Sequence, residues 1–413
     1  MHALAVKSNC GKIRSIAERS ADTGDNIVES HFGTSGSISL DRGLKAEFDD
    51  LVKKFIKDAH CENTYSYRAV RKELLVIASS ITQLDDQAAE IKLAEFASLA
   101  SEYNTLQHVY QVVQGVKLRN SNLHAHGVNV FHCGESAFAE ILVKGNIDIQ
   151  PDKVGQYENY VAERKSELLH KVVMSYEVRA EPIRARELAF EAFSKIVDVL
   201  RYAGQSIESG RKLDIRLSSA TDRQDILVVS DGNITQYMEG AESFIIDGEA
   251  VRLMNELECP KIYSLQEKPA GKLSDLEERV LRAIKWFSSA VAQQHDHVAY
   301  LHLVLALESL FTSDDKAQPI SATISDAVAF LLSDRAASRL DLKAKVTSIY
   351  GKRSSIAHGS SHAVDSEELN YLAGLVQVVV RSVIGKLSEV STRDQLSAKI
   401  AELKFFGLGD MGQ

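Results

Sequence analysis

Apolar positions along the chain change period from one stretch to the next. From Leu44 to about Leu118 they recur largely at helical spacing. Leu51, Phe55 and Ile56 set one stripe; Leu74, Leu75, Ile77, Ile81 and Leu84 set another. Residues 126–151, HGVNVFHCGESAFAEILVKGNIDIQP, mix Val, Ile and Phe with Gly, which predicts strands or a strand with a short helix. After Pro182 helical spacing returns, with Leu188, Ala189, Phe193, Ile196, Val197 and Leu200 on one face and Gly204 near the end. Residues 213–266 read as β-rich: LDIRLSS, DILVVSDG, SFIIDGEAV and KIYSLQ are short runs between polar or glycine punctuation. DGN at 231–233 and DGE at 247–249 fit hairpin turns.

The segment EKPAGKLSDLEER marks a boundary. It carries Pro269 and Gly271, then Ser274 with Glu277 three residues on, a capping-box pattern. Beyond it nearly everything has helical period. Leu276, Val280, Ile284, Phe287 and Val291 form one stripe, and YLHLVLALESLF is apolar almost all round, as a central buried helix would be. Ile320, Ile324, Val328 and Leu331 follow, then Leu342, Val346, Ile349 and Ile356, then Leu369, Leu372, Val376, Val379, Val383 and Leu387. Five such helices predict a compact bundle. The expected class is α+β: a mixed N-terminal region with long helices and a β-rich portion, followed by an all-α bundle. The expected division is a loosely ordered, Gly- and Ser-rich lead-in at 1–43, an α+β region at 44–270, the bundle at 271–400 and a tail at 401–413.

Composition narrows the class of function. The chain has 413 residues, 45% of them hydrophobic, enough to bury a large core. Lys plus Arg is 48 against 57 for Asp plus Glu, a net charge of −9, which excludes a histone-like positive coat while allowing a local basic site. Four cysteines (Cys10, Cys61, Cys133 and Cys259) stand far apart with no C-x-x-C pair, so neither a disulfide framework nor a cysteine zinc cage is expected. The opening MHALAVKSNCGK has too short an apolar run for a signal peptide, and no stretch approaches the ~18 apolar residues of a membrane span. A cytoplasmic location without membrane contact is the resulting expectation.

Two charges fall where apolar residues belong. Extending Leu342, Val346 and Ile349 by four reaches Arg353, with Ile356 next; extending Leu301, Val304 and Leu305 by three reaches Glu308, with Phe311 next. Desolvating a charge costs several kcal/mol, about enough to require a partner, so Glu308 and Arg353 are expected to face each other. The alternatives are a purely structural buried pair, an arginine that snorkels out from a helix edge, or the base of a site. His358 lies five residues beyond Arg353 and is followed by Gly359. The spacing Arg-x4-6-His recurs at Arg119 with His124 and His126 and at Arg164 with His170, so it carries weight only in context. Between 335 and 360, Arg335, Arg339, Lys343, Lys345, Lys352 and Arg353 face only Asp341. That patch is either a phosphate site or a solvated helix face. Tyr350 can stack on a base or pack in the core, and His362 lies in the loop beyond.

Other chemistry is less well marked. His124, His126, His132 and Cys133 form the densest ligand-type cluster, but H-x-H-x5-H-C fits no zinc pattern. There is no G-x-S-x-G elbow and no G-x-x-x-x-G-K-[ST] loop. No metal and no cofactor is expected.

ALESLF (Ala306–Phe311), a proline-containing lead into the next helix, IYGKRSSIAHG (Ile349–Gly359) and a final amphipathic helix together resemble the Apea-like branch of the HEPN domains, over about residues 272–395. The resemblance implies an all-helical, commonly homodimeric domain and, for many members, a metal-independent endoribonuclease of phage defence, abortive infection or toxin–antitoxin systems. It makes Arg353 and His358 the catalytic pair, with Glu308, Tyr350 and Ser354 as supporting residues and Lys343, Lys345 and Lys352 as RNA-binding residues. Ser354 stands where many members carry Asn, Asp or His. Transfer RNA is a candidate substrate, and residues before 271 would sense an unidentified phage-derived or cellular trigger or select the substrate. The alternative is a catalytically silent HEPN scaffold that binds nucleic acid or a protein partner.

The chemistry suits these residue types. RNA carries its own nucleophile, the 2′-hydroxyl. An imidazole, ordinarily titrating near ~6.5, can take or give a proton near neutrality, and a guanidinium presents a planar fork to phosphate oxygens. Five residues of α-helix amount to about 140° of turn and about 7.5 Å of rise, so Arg353 and His358 do not share a face of a regular helix. A two-fold dimer bringing two Arg/His sets into one groove becomes part of the expectation.

Overall fold

The computed structural model describes residues 2–20, 27–33, 36–119, 122–144, 154–207, 214–218, 226–230, 233–237, 243–269, 271–293, 295–312, 320–359 and 363–406. The fold is α+β with a helical C-terminal region. The chain forms two compact units, Met1–Val109 with Ser175–Glu191 and Tyr110–Met174 with Ala192–Gln413.

The first unit contains α1 (His2–Ser20), the antiparallel hairpin β1 (Glu29–Gly33) and β2 (Gly36–Leu40), then α2 (Arg42–Asp58), α3 (Tyr67–Ile81) and α4 (Asp86–Ser101). Asp41, Ser66 and Asp85 each cap the helix that follows by accepting from a backbone N–H three residues on. Ile13 and Ile16 of α1 pack with Ile38, Phe48, Phe55, Leu74 and Leu93 in one core. This corrects the expected lead-in at 1–43. Once residues 12–16 form a helix, Ile13 and Ile16 come onto one face and are fully buried, and the Gly- and Ser-rich stretch supplies a hairpin.

In the rest of the chain come β3 (Leu106–Gln114), β4 (Val116–Leu118), β5 (Leu123–Ala125), β6 (Val128–His132), α5 (Glu135–Lys144), α6 (Val154–Leu168), β7 (Val172–Arg179) and α7 (Pro182–Ile207). Then follow β8 (Arg216–Leu217), β9 (Ile226–Ser230), β10 (Asn233–Tyr237), β11 (Phe244–Ile246), α8 (Gly248–Glu256) and α9 (Cys259–Gln266). A five-stranded sheet has the order β5-β6-β7-β3-β8, and β11 lies parallel to β4. The division between the units falls inside β3, β7 and α7. Three local expectations need correction. Residues 106–114 and 116–118 are strands: Val109, Val112 and Val113 stand at i, i+3, i+4, which imitates a helix, but Val and Tyr favour the extended backbone that this segment adopts. DGE at 247–249 opens α8 rather than turning a hairpin, since the Asp247 carboxylate accepts from the backbone N–H groups of Glu249 and Ala250. KIYSLQ lies in α9, where Pro260 starts the helix. Of DGN, residues 231 and 232 lie outside the described residues, while Ser230 pairs with Asn233.

The C-terminal bundle is α10 (Asp275–Val291), α11 (Asp296–Phe311), α12 (Ile320–Leu332), α13 (Ala336–Ala357), α14 (Ser366–Lys386) and α15 (Arg393–Phe406). The Ser274/Glu277 capping box is formed, and Asp365 with Glu368 makes a second one at α14. Helix α11 packs against α10, α12, α13 and α14 and buries Ala299, Tyr300, Leu303, Val304, Leu307 and Leu310. The sixth helix, α15, overruns the expected tail boundary at 401. It buries Leu396 and Ile400, and the Lys404 ammonium bonds Asp326 at 2.8 Å. The bundle also includes the second half of α7. Tyr202 is fully buried with its ring edge-on to Phe287 at 5.3 Å. Its hydroxyl donates to the Gln377 carbonyl at 3.3 Å, and the Gln377 amide donates to the Tyr202 carbonyl at 2.6 Å.

Candidate anion site on helices α11 and α13

Helical phase places Glu308 in the last turn of α11 and Arg353 in the last turns of α13, both on the sides turned toward the bundle. Arg353 Nε lies 3.6 Å from Glu308 Oε1, with 39% of the arginine and 14% of the glutamate side chain exposed. The expected pairing is therefore present. It is loose: the separation exceeds a hydrogen bond, and Arg353 donates no hydrogen bond to a described residue. Burial raises the Glu308 carboxyl above the ordinary carboxylate value, opposed by the Arg353 charge. An arginine held by charge, with its terminal N–H groups bonded to no described residue, can receive a phosphate in bidentate fashion.

Tyr350, one turn before Arg353, is 8% exposed, so of its two expected uses the packed one is found. Its hydroxyl lies against the Glu308 carboxylate, close enough for each group to shift the other, but the contact falls short of full hydrogen-bond geometry. Burial first, and the adjoining Glu308 charge second, push that hydroxyl well above its ordinary value.

His358 is not brought to this cluster. Helix α13 ends at Ala357, and His358 is its cap residue at φ −90° and ψ 9°, with its backbone N–H on the Ser354 carbonyl at 3.1 Å. Gly359 at φ +77° ends the helix in the left-handed conformation that glycine adopts without penalty. The His358 side chain is exposed and makes no hydrogen bond or ion pair among the described residues. Ser354 is also exposed, about 100° round the helix from Arg353. His362 lies outside the described residues.

The basic patch is largely paired. Lys343 meets Asp326 at 2.6 Å and Lys345 meets Asp341 at 2.9 Å, each about half exposed. Lys352 pairs with Glu368 and lies 5.9 Å from the centre of the Tyr300 ring; Lys345 lies 5.4 Å from that of Tyr371. Arg339 stacks on Phe330 at 4.3 Å. The acidic partners Asp326 and Glu368 were not singled out by the sequence, although D-x-x-E at 365–368 is a capping signature that fixes where Glu368 must sit. Exposed pairs of this kind are worth about 0–1 kcal/mol, so a phosphate chain can exchange for the carboxylates.

The histidine–cysteine cluster disperses. His124 bonds Asn129 at 2.7 Å, His126 bonds Gln266 at 2.8 Å, His132 lies near the His170 ring, and Cys133 is buried. Among the described residues no three His, Cys, Asp or Glu side chains are grouped to hold a metal, and no described helix is long and apolar enough to cross a membrane.

Compared with protein-family models, curated proteins and solved structures, the chain has no significant match.

Proposed function

We propose that the chain is a metal-independent endoribonuclease of the HEPN type, acting as a homodimer in the cytoplasm and serving anti-phage defence or abortive infection. The observation that carries this reading is the Glu308–Arg353 pair, a half-exposed guanidinium anchored at a core position five residues from an exposed imidazole. In the reaction the RNA 2′-hydroxyl loses its proton, its oxygen bonds to phosphorus, and the 5′-oxygen leaves with a proton. The products are a 2′,3′-cyclic phosphate and a 5′-hydroxyl. Arg353 would hold the phosphate oxygens and stabilise the added charge; His358 would carry the proton. Because α13 sets these residues about 140° apart, the reading takes His358 at each site from the second copy. Transfer RNA is the candidate substrate, and the residues before 271 are proposed to sense the trigger.

A silent scaffold that binds nucleic acid or a partner is the second reading. It is favoured by the pairing of Lys343, Lys345 and Lys352 with carboxylates and by the absence of any bond to the His358 ring among the described residues. Incubating the full chain with total RNA in EDTA, beside Arg353→Ala and His358→Ala, separates the two. The enzyme reading requires cleavage to cyclic-phosphate ends that both variants abolish. Binding without cleavage by all three proteins favours the scaffold.

A further inference from the structure

Glu308 has two candidate partners and holds both loosely. Arg353 approaches it at 3.6 Å without a hydrogen bond, while the Tyr350 hydroxyl, on the same helix one turn earlier, is buried against it without a full hydrogen bond to any described residue. A buried donor left unmade is unfavourable, and a loose ion pair whose cation is 39% exposed separates readily. We propose that Tyr350 is a positioning residue that takes over Glu308 when Arg353 turns outward to a phosphate group, making the site a two-position switch. This deepens the ribonuclease reading and rests on it only for the identity of the anion.

In the resting position Glu308 neutralises Arg353, and the Tyr350 hydroxyl makes only a weak contact with the same carboxylate. In the engaged position the guanidinium fork holds two phosphate oxygens, and the Tyr350 O–H donates to the carboxylate that Arg353 has left. Without that donor, binding would strand a carboxylate with 14% of its side chain exposed, which opposes binding. The same geometry sets the ligand chemistry: a phosphodiester or other oxyanion that accepts two parallel N–H bonds. No covalent step is involved.

The test is equilibrium binding of the full chain to a fluorescein-labelled oligodeoxynucleotide, which lacks the 2′-hydroxyl and is not cleaved, read by anisotropy in EDTA. Tyr350→Phe keeps the ring and removes the donor, so affinity is expected to fall about tenfold with the thermal midpoint little changed. Glu308→Gln removes the competing charge and is expected to tighten binding. On that background Tyr350→Phe is expected to have no further effect. Arg353→Ala reports whether the probe uses this site. Unchanged affinity in Tyr350→Phe, an equal loss in both backgrounds, or no loss in Arg353→Ala overturns the proposal. The outcome is independent of RNA cleavage: the coupling can hold in a protein that cleaves nothing, and cleavage can occur without it.

Discussion

Truncating Arg353 to alanine should destabilise the bundle in a pH-dependent manner. At 3.6 Å, opposite charges attract by about 5 kcal/mol at an effective dielectric of about 20 and by about 1 kcal/mol in bulk water. With 39% of the arginine side chain exposed, the lower end applies, so the loss at pH 8 should be about 1–1.5 kcal/mol, or about 2–5 °C in midpoint. Burial already holds the Glu308 carboxyl above its ordinary value, and removing the cation lifts it further. The wild-type chain therefore gains from Glu308 protonation as pH falls, and the variant gains more. Its deficit is full at high pH and is lost as pH drops through the raised value. Trp286 on α10, the one tryptophan, reports bundle unfolding by fluorescence. Urea titrations of wild type, Arg353→Ala, Glu308→Gln and the double variant at pH 8 and pH 4.5 give the coupling directly. Loss of the arginine stem's packing is independent of pH and of residue 308. An Arg353→Ala deficit of equal size at both pH values, or in the Glu308→Gln background, would show that the pair contributes nothing.

Other perturbations test the fold around the site. Gly115 sits at φ +72°, and a Cβ there would lie 2.2 Å from the Asp214 carbonyl oxygen; Gly115→Ala should cost about 3 kcal/mol or more of unfolding free energy, read by urea titration, since backbone must give way. Ile13 is fully buried, so Ile13→Ala should cost about 2–5 kcal/mol, and trypsin sensitivity no greater than that of a Lys12→Ala control would contradict a packed α1. Burial lowers the His126 imidazole, whose side chain is 5% exposed. The unfolded chain therefore takes up the proton first, and this residue's contribution is full above about pH 6.5 and lost as pH falls through the lowered value. His126→Asn tolerates the local φ of 55° and should flatten the slope of thermal midpoint against pH between 7 and 5.

Helical phase alone located the Glu308–Arg353 contact, because 3.6-residue periodicity fixes which side chains turn inward even when they are charged. The capping box at Ser274 was equally legible, since its three-residue spacing is itself the geometry. Three features were not. Ile13 and Ile16 sit among Asn9, Gly11 and a Gly- and Ser-rich continuation, and only tertiary packing shows that they are core. Pro260 in KIYSLQ's helix was outweighed by the β-prone residues around it. The loose contact of the Tyr350 hydroxyl with Glu308 depends on side-chain placement, which no residue pattern encodes. The lysine–carboxylate pairs lay between these cases: the cations were evident, but Asp326 is contributed by another helix, and Glu368 lies across a loop.

The reciprocal bonds between Tyr202 and Gln377 bear on how the protein can be divided. Excising residues 271–400, the segment its periodicity marks out, would strip away half of α7 and leave Phe287 facing a vacated slot with the Gln377 amide unsatisfied in its wall. Such a fragment should clump or stay molten. A preparation of that piece without activity would speak to a broken scaffold rather than to the chemistry of the intact chain.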